Sequence, residues 1–447
     1  MISEARSLAV QVLSRVWNSD AFAAMTLDAE LGRHSSMDPR DVGLATEFVY
    51  GVLRTQGFLL ERLAKLTPKG KLEIPKGNAE AHLLIAAYAL CFLDRVPAFA
   101  AVSEAVGAIR AEGDQRTASF ANAILRALAQ EMEKSGRPTL LMATAASAPG
   151  WLRGALRRSL GRSSAEAYLA AGPIPPPIGL ALRAGENRDD MVKKLMDASP
   201  DGIFERGKVS PRAIAVRGAG DVRRLPGALE AWIVQEEGAQ VVALALGAKP
   251  GEKVLDACAG RGNKTWLLAD EVAPGGTVDA ADLYVSKLER LREGPAGRGA
   301  NNTFAVDWAA GLANIGDIPS DYDRVLVDAP CSGIGTLRRR PEITLRRTPE
   351  DIKRLSELQL AITRIAATRV KDGGTLVFAV CSVLREEGEE VVEKLISEPA
   401  SPGVLLEKAE FAPEFVKAAP GQSSFRLLPH VDGTDGYFVA CFRVRRS

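Results

Sequence analysis

From about Glu236 onward the chain repeats one pattern that few folds satisfy: a short apolar run, a polar tip, then a helical stretch, then another apolar run. The runs are Lys253–Cys258, Thr277–Asp282, Asn302–Val306, Asp323–Asp328 and Thr375–Cys381. Strands joined through helices lie parallel, and a parallel sheet carries helices on both faces. The pattern therefore predicts a doubly wound, Rossmann-like α/β sheet whose ligand sits at the carboxyl ends of the strands. Asp256, Asp282, Asp307 and Asp328 fall at or just after four of those ends, where they are expected to line one edge. One such aspartate is often only a turn residue; four in succession are harder to dismiss. Tyr437–Val444 alternates, as a closing edge strand would. A helix is expected after Thr348, with Pro349 at its first position and Asp351 completing the cap.

A chain of 447 residues is too long for one core, so two or three domains are expected. Residues 1–135 read as successive helices, with Leu8, Val12, Leu13 and Val16, then Val102, Ala105, Val106 and Ile109, at helical spacing. Pro97 and the pair Gly113-Asp114 break the pattern at turns. Residues 136–235 form a small α/β linker, broken by Pro175-Pro176-Pro177, with strands over Ile178–Arg183 and Ala213–Val216. Trp151 to Arg217 holds 12 Lys/Arg against 7 Asp/Glu, a basic stretch in a nearly neutral protein. Residues 236–447 are the catalytic candidate.

Composition excludes several classes. Lys plus Arg (57) nearly equals Asp plus Glu (56), so any nucleic-acid surface must be local. The longest apolar run, Leu83 to Leu93, is shorter than the ~18 residues a membrane helix needs. The first 25 residues lack the apolar core of a signal peptide. Five scattered cysteines argue against a disulfide framework, and three distant histidines against a metal site. A reduced, cytoplasmic, monomeric protein without metal or membrane partner is expected.

Val254 to Thr265 is a strand, a glycine turn and a helix start. Cys258, Ala259, Gly260, Arg261, Gly262, Asn263 and Lys264 form the turn. Glycines let backbone approach a ligand, and a helix start offers unpaired N–H groups. The spacing matches neither a P-loop nor a full dinucleotide fingerprint. A nucleoside without pyrophosphate, such as S-adenosylmethionine, fits better, with Asp282 reaching its ribose. Two thiols lie at strand ends: Cys331 within Asp328-Ala329-Pro330-Cys331-Ser332-Gly333, and Cys381 beside Ser382. Methylation at C5 of a pyrimidine wants this set. A thiolate adding to C6 makes C5 nucleophilic, an acid near N3 such as Asp328 stabilises the adduct, and a second thiol can aid release. Spacing alone does not say which thiol attacks.

Those strings, with Lys264-Thr265, Arg338-Arg339-Arg340-Pro341-Glu342 and Asp435-Gly436-Tyr437-Phe438, resemble the Nop/Sun family of RNA 5-methylcytosine methyltransferases. The first domain, with Leu44 to Arg54 and Ala118 to Arg126, is similar to the RNA-binding NusB-like domain. Together they resemble the bacterial branch acting on 16S ribosomal RNA, over nearly the whole chain. The resemblance implies an all-α NusB-like domain, the small α/β linker and a class I S-adenosylmethionine-dependent methyltransferase domain. It implies Cys381 as nucleophile, Cys331 in product release, Asp328 and Lys264 at the base, and Cys258 to Lys264 with Asp282, Asp307 and Asp328 around the cofactor. The family loop reads Cys-Ala-Ala-Pro-Gly-Gly-Lys-Thr. Here Arg261 replaces the proline, Asn263 replaces a glycine and is expected to tolerate positive φ, and Val380 stands where threonine is usual. No catalytic group is lost. Arg338, Arg339, Arg340, Arg346 and Arg347 against Glu342 alone are expected to hold RNA phosphates at the site's mouth. A non-catalytic ribosome-assembly factor on the same folds explains the platforms but not two thiols. A nicotinamide oxidoreductase explains neither cysteine motif.

Overall fold

The computed structural model describes residues 3–19, 21–34, 36–112, 115–416 and 421–446. The turn expected at Gly113-Asp114 lies outside them. The chain divides into two compact units, one of Met1–Pro175 with Leu337–Arg346, the other of Pro176–Thr336 with Arg347–Ser447. The expected middle segment 136–235 is therefore shared: its part up to Pro175, which is helical, joins the first unit, and its strands with the helix over Arg188–Ala198 join the second. No helix among the described residues is long and apolar enough to cross a membrane.

In the first unit, α1 (Glu4–Asn18), α3 (Pro39–Lys65), α5 (Ala98–Ala111) and α6 (Gln115–Ser135) surround α4 (Asn78–Phe92), and α2 (Ala23–Arg33) packs on α1 and α3. Every residue from Ala81 to Cys91 is buried. The long apolar run is thus a central core helix, apolar on all sides because it is covered on all sides. Gly51 of α3 lets the Tyr88 ring sit against the backbone; a Cβ there would come within 2.2 Å of it. Helices α7 (Leu140–Ser147), α8 (Gly150–Leu160) and α9 (Arg162–Ala170) follow, and the Ser147 hydroxyl accepts from the Phe58 N–H at 2.9 Å, fixing α7 to α3.

The second unit opens with a four-stranded antiparallel sheet, β1 (Ile178–Leu182), β2 (Ile203–Arg206), β3 (Ala213–Arg217) and β4 (Trp232–Val234), in the order β2-β3-β1-β4. Helix α10 (Arg188–Ala198) packs on it and α11 (Glu237–Leu244) leads out of it. Arg183 and Arg212 pair with Asp270 at 2.7 and 3.2 Å, so part of the basic stretch is spent on holding this sheet to the unit.

The larger sheet comprises β5 (Lys253–Asp256), β6 (Thr277–Asp282), β7 (Asn302–Ala305), β8 (Tyr322–Asp328), β9 (Val370–Val380), β10 (Val404–Lys408), β11 (Ser424–Leu427) and β12 (Tyr437–Arg446). Its order is β10-β12-β9-β8-β5-β6-β7, with β11 pairing β12. The chain runs outward from β5 through β6 to β7, then returns to β8 on the other side of β5. This reversal opens a crevice at the carboxyl ends of β5 and β8. Helices α12 (Asn263–Val272), α13 (Val285–Glu293), α14 (Pro349–Ala367) and α15 (Glu389–Ser397) complete the unit. The Thr348–Asp351 capping box on α14 is present as expected. Tyr437–Val444 is not an edge strand. β12 lies between β9 and β10, antiparallel to both, and Tyr437 to Phe442 are all buried. Its unbroken apolar start is the mark of a strand covered on both faces.

Candidate active site

The glycine loop follows from two backbone demands. Gly260 (φ +58°) and Gly262 (φ +87°) both adopt the left-handed region that side chains disfavour. A Cβ on Gly262 would strike Ala296 at 2.5 Å, whereas the space beside Gly260 is open. Asn263 does not take positive φ; it is the first residue of α12, and its amide donates to the Val234 carbonyl at 3.4 Å. Beneath the loop Asp256 is fully buried and accepts from Thr265 Oγ1 at 2.8 Å. Burial pushes its carboxyl up to about 6. Asp256 therefore holds the loop from below instead of lining the edge.

Asp282, at the end of β6, accepts from the Gly260 N–H at 3.0 Å and the Tyr284 N–H at 2.9 Å, and pairs with Lys287 at 3.3 Å. Asp307, just past β7, accepts from the Ala309 N–H and caps a short turn. Burial pushes the Cys258 thiol well up, with Asp256, Asp328 and Asp282 adding to it.

The carboxyl ends of β8 and β9 bring together the remaining groups. Asp328 pairs with Lys264 Nζ at 2.5 Å, and the Cys331 and Cys381 sulfurs stand 3.0 Å apart. Both thiols are free. Burial works against the Lys264 charge, but Asp328, Asp256 and Cys381 outweigh it and raise the ammonium. The hydrogen bond with Cys381 is the main cause that raises Cys331 well above an ordinary thiol, with burial second.

A supporting network went unseen in the sequence. Glu387 is fully buried and accepts from the Ser332 N–H at 2.8 Å, Ser332 Oγ at 2.5 Å and Gln359 Nε2 at 3.0 Å. Gln359, from α14, also donates to the Pro330 carbonyl at 3.0 Å. These bonds fix the loop on both sides of Cys331. In Arg385-Glu386-Glu387 such a carboxylate reads as surface charge, and only its partners far along the chain reveal it.

The arginine run is placed differently from expectation. Residues 337–346 belong to the helical unit. Arg338 is buried and its carbonyl accepts from Arg54 at 3.0 Å. Arg346 donates to the Val16 and Ala21 carbonyls at 2.9 and 2.5 Å. Arg347, back in the second unit, donates to the Ser332 carbonyl at 3.1 Å. These three guanidinium-bearing residues are built into the fold. Arg339 is half-buried, and Arg340 is exposed over the Phe22 ring at 5.2 Å.

Residues 243–443 match the family described as 16S rRNA methyltransferase RsmB/F, and residues 3–130 match the NusB family. A probable ribosomal RNA small subunit methyltransferase B of Bacillus subtilis is 31% identical, covering 98% of each chain. The ribosomal RNA small subunit methyltransferase B of Pseudomonas syringae is also 31% identical, over 97% of this chain and 96% of its own. Among solved structures, a methyltransferase homologue protein from Pyrococcus horikoshii is 25% identical with a TM-score of 0.53, covering 70% of this chain and 97% of its own. With a helical NusB-type unit, a sheet whose order reverses beside a glycine loop, and likeness along almost its full length, the chain belongs to the RsmB/F family of 16S ribosomal RNA methyltransferases.

Proposed function

We propose that this protein transfers a methyl group from S-adenosylmethionine to C5 of a cytosine in RNA, in 16S ribosomal RNA, through an adduct between Cys381 and C6. One observation carries the reading: two free thiols 3.0 Å apart beside the Lys264–Asp328 pair, at strand ends next to the glycine loop. The loop suits the cofactor. Gly260 has open space beside it, α12 begins there, and Asp282 sits at the end of β6. When bound, S-adenosylmethionine supplies an activated methyl group.

The chain's own residues do the rest. Cys381 adds to C6, which turns C5 into an enamine-like carbon. The Lys264–Asp328 pair offers a donor and an acceptor to the N3 edge of the base. After transfer the C5 proton must leave while the bond from C6 to Cys381 breaks. Cys331 can relay that proton from C5 to the departing Cys381 sulfur, which balances the step. Arg340, exposed in the run, is suited to phosphate, and the protein is proposed to act as a cytoplasmic monomer.

Bisulfite mapping of ribosomal RNA from cells with and without the gene tests this. Loss of one or more 5-methylcytosines from 16S RNA is the expected result, restored by the wild-type protein and not by Cys381→Ala. An unchanged map would overturn the reading, and rescue of ribosome assembly by Cys381→Ala would favour an assembly factor.

A further inference from the structure

Residues 337–346 leave the second unit six positions after Cys331, join the helical unit, and return at Arg347. Both ends of this excursion are fastened to the catalytic loop. The Gly335 N–H donates to the Cys381 carbonyl at 3.0 Å, and the Gly335 carbonyl accepts from the Gly436 N–H at 2.7 Å. A Cβ on Gly335 would lie 1.9 Å from the Gly436 carbonyl oxygen, so the backbones meet there without any slack. At the return, Arg347 holds the Ser332 carbonyl.

The tip is fastened as firmly within the helical unit. Glu342 is fully buried, and its carboxylate accepts from the N–H of Ala23, the first residue of α2, at 3.1 Å. A helix start has unpaired N–H groups and favours an anion. Arg346 donates to carbonyls from the last turn of α1 onward, where acceptors are left over. One anchor thus closes the end of α1 and the other the start of α2. Arg340 and Arg346 also lie over the Phe22 ring between them, at 5.2 and 5.6 Å.

We propose that residues 337–346 form a strap through which the helical unit sets the geometry of the two-thiol loop, with Glu342 and Arg346 as positioning residues. Neither touches substrate or cofactor. They hold the strap, the strap holds Gly335, and Gly335 holds the backbone of Cys381. A shift of the α1–α2 corner, such as RNA binding to the helical unit could impose, reaches the thiols along a covalent path. The inference rests on the methyltransferase reading for its kinetic readout only.

The test loosens the strap without removing either anchor, by inserting Gly-Ser-Gly-Ser between Thr336 and Leu337. Two readouts are taken on the full chain: methyl transfer to RNA, and the alkylation rates of Cys331 and Cys381 followed by peptide mass spectrometry. The expected result is a kcat lowered about tenfold or more, since small displacements of reacting groups cost rate steeply, with cofactor affinity and RNA KM within about threefold. Alkylation of the two thiols should change several-fold, about three or more. Glu342→Ala should act in the same direction, and Glu342→Gln, which keeps an acceptor for Ala23, should stay within about twofold of wild type. Wild-type kcat and unchanged alkylation in the insertion variant would overturn the strap, as would a Gln variant as impaired as the Ala variant. If the wild-type protein methylates no cytosine the proposed function fails, and the alkylation rates still decide the strap.

Discussion

Cys381 and Cys331 differ in one respect that can be measured separately. Cys381→Ala should lose methyl transfer by at least about a thousandfold and form no covalent complex with 5-fluorocytosine RNA, while still binding cofactor. Full activity would reassign the nucleophile. Cys331→Ala should instead accumulate a stable RNA–protein complex on ordinary cytosine, visible as a denaturation-resistant shifted band; a mutant without that band would show Cys331 to be structural. Glu387→Ala leaves the Ser332 N–H, its hydroxyl and Gln359 without their buried acceptor. A cost of about 2–4 kcal/mol in denaturant unfolding is expected, with loss of activity at temperatures where the fold survives. A change below about 0.5 kcal/mol would mean the loop is held by something else. Cys331, Cys381 and Asp328 were legible because each lies at or close after a strand end that hydrophobic runs make visible, and Lys264 because it directly follows the glycine turn. Glu387 and the buried arginines were not, because charge density says nothing of which charges find partners inside.

At the scale of elements, β5, its glycine turn and α12 form one device, with Asp256 as its buried peg. Burial pushes that carboxyl up to about 6, against an ordinary 3.8. Between those values the native state keeps a proton that the unfolded chain has lost, so this residue's contribution to stability falls as pH rises through the window. Asp256→Asn keeps an acceptor for Thr265 and removes the titration. Its stability relative to wild type should therefore increase from pH 4 to pH 7, by on the order of 2–3 kcal/mol in urea midpoints converted to free energy. A difference that stays flat across the window would contradict the assignment. The strands of this region were readable since parallel core strands are continuous apolar runs. β2, β4, β10 and β11 escaped because they are only three to five residues long and partly exposed. β12 reads as an edge strand in the sequence because its outer neighbour β10 gives so weak a signal.

At the scale of the whole molecule, the two units should respond to acid through different groups. His82 lies in the core of the helical unit, and burial, with Arg6 nearby, pulls its imidazole down to about 4. An ordinary histidine titrates near 6.5, so the unfolded chain takes up a proton first and stability is lost as pH falls from 6.5 toward 4. His82→Leu should flatten that acid limb by on the order of 2–3 kcal/mol in denaturant unfolding, and an unaltered limb would place the acid sensitivity elsewhere. The division into units has a consequence for how the protein is made. The helical unit contains residues from both sides of a long insertion, and its α1–α2 corner is closed by Glu342 and Arg346. On the ribosome the helices emerge first and must wait, with that corner open, until four of the eight strands of the second unit's larger sheet, β5 to β8, have been synthesised. Completion of the helical unit is thereby timed to follow the appearance of Cys331, so a truncated chain ending near residue 175 carries an unfinished first unit and neither Cys331 nor Cys381.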